Sequence, residues 1–104
     1  MPDLDLDSLD VLRLFQNKIG GSIPNFSKAK KLRNMALTSN IFEGSLPNFD
    51  SLAKLEIINL SYNLLSGTIP DFNNCNQLIA IEIAFNQLSG SIPEFNSLPH
   101  LTDI

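Results

Sequence analysis

Residues 63–72 read NLLSGTIPDF, and the chain contains four copies of this stretch, counting this one, with small changes between them. The other copies are NKIGGSIPNF from Asn17, NIFEGSLPNF from Asn40 and NQLSGSIPEF from Asn86. Each position i recurs at i+23, and Asn, Gly, Pro and Phe are identical in all four copies. A fixed period of this length is typical of repeat proteins, in which each copy forms one structural unit. The repeat therefore decides the fold.

The residues before each repeat Asn are apolar at constant positions. Apolar side chains stand eight, five and three positions before each Asn, as in Leu55, Ile58 and Leu60 before Asn63. The L-x-L alternation predicts a short strand with one buried face. The Asn amide suits the bend that follows, because it can bond backbone groups that the bend leaves unpaired, and stacked copies should form a ladder of these Asn residues. The repeated Gly and Pro predict a glycine at positive φ and an extended, non-helical stretch after it. The repeated Phe is expected to stack as an apolar spine.

One copy cannot bury its own apolar face, so the copies must stack. Residue i then lies beside residue i+23, about 4.8 Å away across a parallel sheet. The segments that follow each Phe, such as NNCNQ, are too short for regular helices and predict turns or single 3₁₀ turns. The period thus predicts a coil with strands on one side and turns on the other.

The pattern LxxLxLxxNxLxGxIP resembles the leucine-rich-repeat family, specifically its plant-type subclass, from about Leu6 to Ile104. The copies here are one residue shorter than the usual plant repeat and carry Phe in IPxF. The resemblance implies an α/β repeat fold, namely a right-handed solenoid with a parallel β-sheet on the concave side and turns or 3₁₀ segments on the convex side. We expect one domain over residues 1–104, with about 4.5 copies and no evident caps, as in an excerpt of a longer array.

Composition excludes several classes of function. The 104 residues carry a formal net charge of −4, with one His, one Cys and no Trp. The acidic balance argues against nucleic-acid binding, and no apolar run approaches the ~18 residues of a membrane helix. A single cysteine excludes an internal disulfide and a thiolate zinc site. A Cys75–His100 nucleophile pair is conceivable, but no third group would orient it. We therefore expect no enzyme activity, no cofactor and no metal.

Charged side chains at positions i and i+23 offer a structural explanation for the basic run at residues 28–33. Stacking would form ion pairs between neighbouring copies, with a polyanion site as the alternative interpretation. The expected pairs are Asp5–Lys28, Asp7–Lys30 and Asp10–Arg33, with Glu56 on the other side of Arg33. Cys75 shares a column with Ala29 and Leu52, which predicts a buried apolar role. Two N-x-S sequons, at Asn25 and Asn59, are possible glycosylation sites.

Strand side chains between the buried columns are expected on the open face of the sheet. They stand six, four, two and one positions before each Asn, and they vary while the framework is constant. The candidate binding residues are Arg13, Phe15, Gln16, Thr38, Ser39, Asn59, Tyr62, Glu82 and Phe85. Tyr62 and Phe85 share a column in adjacent copies and should touch. Arg13 and Glu82 share another column and give this face opposite charges at its two ends.

These features favour a non-catalytic recognition module that binds a protein or peptide partner through the concave sheet face, with the aromatic column as its anchor. End-to-end self-association is the main alternative, because uncapped repeat ends expose core and strand edges. Glycan or small-ligand binding on the same face is a further alternative. The resemblance implies an extracellular or cell-surface location.

Overall fold

The computed structural model describes residues 10–14, 16–24, 26, 28–70, 72 and 74–90. Within these residues all regular structure is β, and no helix is present. Eight short strands follow one another as β1 Val11–Arg13, β2 Gly20–Gly21, β3 Asn34–Ala36, β4 Ile41–Ser45, β5 Ile57–Asn59, β6 Leu64–Thr68, β7 Ala80–Glu82 and β8 Gln87–Ser89. Each copy contributes two strands, and the copies stack in parallel. The predicted solenoid is confirmed.

The first sheet contains the odd-numbered strands in the order β1-β3-β5-β7, all parallel. Its register is the predicted one, because Leu12 pairs with Met35 and Met35 with Ile58, a step from i to i+23 each time. These three side chains are buried, whereas the residues on either side of them are exposed or half-buried. The L-x-L stretches therefore lie side by side with one face in the core.

A second parallel sheet, in the order β2-β4-β6-β8, was missed by the sequence analysis. Its register differs, since Gly20 pairs with Ile41 and Ser66 with Gln87, a step from i to i+21 in both cases. The rule that residue i pairs with residue i+23 therefore holds in the first sheet and not in the second. A shift of two positions keeps every side chain on its own face, because the side-chain period of a strand is two.

Phenylalanine rings and aliphatic side chains fill the space between the sheets and the outer turns. Phe26, Phe49 and Phe72 are all buried. The Phe49 and Phe72 rings stack with their centroids 6.2 Å apart and an interplanar angle of 12°. The predicted stacking is thus confirmed for Phe49 and Phe72, and Phe95 lies outside the described residues.

Two successive turns follow each of these Phe residues on the outer side. Leu52 N–H bonds the Phe49 carbonyl at 2.9 Å, and Leu55 N–H bonds the Leu52 carbonyl at 3.2 Å. The preceding copy has the same two bonds, with Ala29 in place of Leu52. The following copy has them with Cys75 in that place. Each bond joins residue i to residue i+3, as in a single tight turn. The outer segments are therefore turns, as predicted.

The repeat Asn residues form a ladder at the bend between the two sheets. Asn63 is 5% exposed, and its Nδ2 donates to the carbonyls of Leu60 at 3.0 Å, Ser61 at 3.3 Å and, in the preceding copy, Leu37 at 3.0 Å. Its Oδ1 accepts the Phe42 N–H of that copy at 3.1 Å. Asn40 also bonds the preceding copy, because its Nδ2 donates to the Leu14 carbonyl. The predicted ladder is confirmed, and it joins neighbouring copies as well as closing the bend.

Candidate functional site

The open face of the first sheet carries one charged residue at each end of a single row. The strand register places Arg13, Ala36, Asn59 and Glu82 side by side on β1, β3, β5 and β7. Arg13 and Glu82 are exposed, whereas Ala36 and Asn59 are half-buried. This row is the one that the repeat spacing predicted.

Tyr62 and Phe85 form an exposed aromatic pair beside this row. Their ring centroids are 4.4 Å apart, and the planes are inclined by 11°. Tyr62 is 53% exposed and Phe85 is 69% exposed, so the rings present a large apolar surface to solvent. The predicted contact between them is confirmed. Rings held against each other lose less freedom when a partner binds, which suits them to act as an anchor.

The backbone at this aromatic column is left-handed, which the sequence analysis did not predict. The residue before each ladder Asn has a positive φ in all four copies: 57° at Gln16, 60° at Ser39, 59° at Tyr62 and 57° at Phe85. Such a conformation is uncommon outside glycine. The bend therefore ends the strand alternation at this column, which lies beyond the last residues of β5 and β7. Backbone bonds secure the position, because Tyr62 N–H donates to the Ala84 carbonyl at 3.0 Å.

Apart from Gln16, the other described candidate residues are less accessible than the charged and aromatic ones. Gln16 is exposed, but Thr38, Ser39 and Asn59 are half-buried. Asn59 Oδ1 accepts the Ser61 N–H at 3.2 Å. Ser61, which the alternation also placed on the open face, is buried, because the chain already bends towards the Asn ladder there. The candidates Phe15 and Asn25 lie outside the described residues.

Apolar residues on the second sheet are exposed as well. Ile41 on β4 is 48% exposed and Leu64 on β6 is 46% exposed. Both directly follow a ladder Asn, so the side-chain period of two turns them outwards while Phe42 and Leu65 point into the core. The sequence does not show this alternation, because both residues after each of these Asn residues are apolar, Ile41 and Phe42 in one copy and Leu64 and Leu65 in the next.

Neither a metal-binding cluster nor a reactive thiol is found among the described residues. No group of three His, Cys, Asp or Glu residues in this part of the chain could hold a metal ion. Cys75 is buried, its thiol donates to the Phe49 carbonyl at 3.2 Å, and burial together with the nearby Asp50 raises its pKa to about 11. A thiol with that pKa is almost wholly protonated at neutral pH and is a poor nucleophile. His100 lies outside the described residues.

An ion pair joins the first two copies at the edge of the first sheet. Arg33 Nε and one terminal nitrogen donate to the two Asp10 carboxylate oxygens, each at 2.7 Å. Both side chains are about half exposed, at 51% and 49%. The hydrogen bond from Arg33 lowers the pKa of Asp10, and the same bond raises the pKa of Arg33. The predicted Asp10–Arg33 pair is confirmed, whereas Asp5 and Asp7 lie outside the described residues.

The chain was compared with protein-family models and with curated proteins. The family model Leucine Rich Repeat matches residues 54–76, which is one period of the chain. No curated protein matches the chain significantly. In the part of the chain that the structure describes, no helix is long and apolar enough to cross a membrane.

Three solved plant receptors illustrate the structural similarity. The plant peptide hormone receptor RGFR1, solved with RGF2, is 38% identical over 94% of this chain, with a TM-score of 0.84. The Arabidopsis receptor kinase HAESA ectodomain, solved with an IDA peptide hormone, is 34% identical over 94%, with a TM-score of 0.87. The Arabidopsis thaliana SOBIR1 ectodomain is 35% identical over 93%, with a TM-score of 0.82.

This chain corresponds to only part of each receptor chain, namely 16% of RGFR1, 17% of HAESA and 55% of SOBIR1. The match nevertheless extends over 93–94% of this chain. The chain therefore belongs to the leucine-rich-repeat family and to its plant-type subclass.

Proposed function

We propose that this chain is a non-catalytic recognition module that binds a protein or peptide partner through the open face of its first sheet. The observation that carries the proposal is the Tyr62–Phe85 pair, two stacked rings that are both more than half exposed. Folding alone does not need large rings there, because Gln16 and Ser39 occupy the same column in the other copies. Exposed aromatic residues are common anchors of protein interfaces.

The relatives support the same class of function and a location outside the cell. RGFR1 and HAESA were both solved with peptide hormones, and the HAESA and SOBIR1 structures are ectodomains of receptor kinases. We infer that this chain also acts at the cell surface or in the extracellular space. Its partner contacts Tyr62 and Phe85 together with the polar residues of the neighbouring row.

A pull-down with matched variants tests this proposal. The variant Tyr62→Ala/Phe85→Ala removes the aromatic anchor, and Ile41→Ala/Leu64→Ala removes exposed apolar surface from the second sheet. We expect the first variant to lose the partners that the original chain recovers, and the second to retain them. Equal recovery by the chain and by the Tyr62/Phe85 variant would contradict the proposal. Circular dichroism of both variants checks that they remain folded.

Self-association is a separate hypothesis with its own experiment. Light scattering across a dilution series measures whether the mass of the particle falls with concentration. A constant monomer mass would exclude end-to-end assembly, whereas a mass that rises with concentration would favour it over the recognition of a foreign partner.

A further inference from the structure

We infer that the first-sheet face takes a short extended peptide that carries one acidic and one basic group about four positions apart. The peptide lies across the strands, along the row that runs from Arg13 to Glu82. This inference rests on the proposed recognition function and specifies the chemistry of the partner.

The row sets the length of the segment that the face can hold. Arg13 and Glu82 belong to the first and fourth strands of the sheet and are therefore three strand spacings apart. At about 4.8 Å for each spacing, they are separated by roughly 14 Å along the solenoid axis. An extended peptide advances about 3.4 Å per residue, so about four residues cover this distance.

The two end charges determine what the peptide must carry. In the described part of the chain, the only ion pair joins Asp10 and Arg33, so Arg13 and Glu82 are both unpaired. Both are exposed, so each can reach a charge on a ligand. Arg13 is suited to a carboxylate, which it can bind through two parallel hydrogen bonds. Glu82 is suited to an ammonium or guanidinium group.

The residues between the two charges leave room for a peptide backbone. Ala36 and Asn59 occupy the middle of the row, and both are half-buried. In the neighbouring column, Thr38 is half-buried, Ser61 is buried and Ala84 is exposed but small. None of these three side chains is large enough to block a peptide backbone. The exposed, stacked Tyr62–Phe85 pair follows three positions after Asn59 and Glu82, beyond the last residues of β5 and β7. A bound peptide would thus have polar contacts at its ends and an apolar contact along its side.

Three capped pentapeptides test the inference in NMR titrations of the 15N-labelled chain. They are Lys-Ala-Phe-Ala-Glu, Lys-Ala-Phe-Ala-Lys and Glu-Ala-Phe-Ala-Glu, each acetylated and amidated so that only the side chains carry charge. We expect the chain to prefer the first peptide, with shifts at the amides of Ala36 and Asn59. A fourth peptide, Ala-Lys-Phe-Glu-Ala, brings the charges closer together and should bind less tightly.

Exchanging one end charge should change which peptide is preferred. Arg13→Glu makes both ends acidic and should favour the peptide with two Lys residues, and Glu82→Arg should favour the one with two Glu residues. Each exchanged pair is expected to alter relative affinity roughly two- to fivefold, as exposed ion pairs do. The matched controls are Lys30→Glu on the outer turns and Glu43→Arg on the second sheet, which repeat the charge changes elsewhere and should leave the order unchanged.

The possible outcomes separate this inference from the proposed function. An unchanged order of affinities in Arg13→Glu and Glu82→Arg would overturn the inference, and so would no detectable binding of any of the four peptides. In either case, loss of partner recovery by the Tyr62/Phe85 variant would still support recognition, with a folded protein as the partner. A switch of preference in both charge variants, but not in the controls, would support the peptide.

Discussion

Asn63 shows how one side chain serves two copies of the repeat. Its amide group donates to carbonyls of its own bend and of the preceding copy, and its oxygen accepts the Phe42 N–H of that copy. The sequence predicted that an amide was needed at the bend. The bonds to the preceding copy could not be read from one copy alone, because they depend on how closely the neighbouring bends approach.

Replacing Asn63 with Ala should destabilise the protein by about 2–3 kcal/mol, because buried backbone donors and acceptors would lose their partner. Urea unfolding followed by circular dichroism measures the change in the free energy of unfolding. Asn48→Ala is the matched control, since the Asn48 side chain is exposed and accepts a single bond from Asp50 N–H. A loss at Asn63 no larger than the loss at Asn48 would contradict the structural role of the ladder.

The contact between Tyr62 and Phe85 could be predicted from the sequence, but their backbone conformation could not. The constant spacing of the repeat was sufficient to predict that Tyr62 and Phe85 touch. The positive φ of both residues was not predicted, because large side chains rarely adopt it and no local sequence signal marks it. The bend imposes this conformation on whichever residue precedes the ladder Asn.

The second sheet is the main difference between prediction and structure at the level of elements. Residues 41–45 alternate between exposed and partly or fully buried positions, as strand residues do, but Gly44 favoured the prediction of a turn. In the structure Gly44 and Gly67 lie within strands and still have positive φ values of 81° and 78°. The glycine thus bends the strand without ending it.

Gly67→Ala should destabilise the protein by about 1–2 kcal/mol, because its backbone is left-handed and a Cβ there would lie 3.2 Å from Ser45 Oγ. Gly20→Ala provides the control. A Cβ at Gly20 would lie 3.4 Å from the Ile41 side chain, and the backbone of Gly20 does not have a positive φ. Thermal unfolding of the two variants compares them directly. Equal melting temperatures would show that positive φ is not what requires glycine in this strand.

The Asp10–Arg33 pair should make stability depend on pH. Arg33 lowers the pKa of Asp10 in the folded chain below its value in the unfolded chain. The pair therefore stabilises the fold above the unfolded pKa of about 4, and this contribution is lost as the pH falls through the lowered value. The difference in urea midpoint between the chain and Asp10→Asn should shrink from pH 7 to pH 2.5.

High salt offers a second check on the same pair. Both side chains are half exposed, so about 1 M NaCl should reduce the midpoint difference at pH 7. A difference that changes with neither pH nor salt would mean that Asp10 acts through something other than its charge.

At the scale of the whole molecule, the core is a series of stacked layers, and each layer is supported by its neighbours. Phe49 is buried, and its ring stacks on Phe72 of the next copy. The Cys75 thiol, also in the next copy, donates to the Phe49 carbonyl. A defect in one layer therefore removes support from both adjacent copies.

Phe49→Ala should lower the free energy of unfolding by about 3–5 kcal/mol, as expected for a large ring removed from a packed core. Phe49→Leu keeps much of the volume and should cost about 1–2 kcal/mol, so it reports on the site if the Ala variant fails to fold. Calorimetry measures both. A cost for the Leu variant as large as that for the Ala variant would contradict the packing argument.

The sequence by itself determined the solenoid, the first sheet and its register, the Asn ladder, the stacked Phe rings and the contact between Tyr62 and Phe85. All of these follow from one period, because stacking identical copies brings residues i and i+23 together. Only the tertiary structure decided that a second sheet forms with an i to i+21 register, that Ser61 is buried, and that Ile41 and Leu64 face solvent. Those features depend on the angle at which the chain bends at each Asn. That angle results from packing and hydrogen bonds between neighbouring copies, which a one-dimensional pattern does not contain.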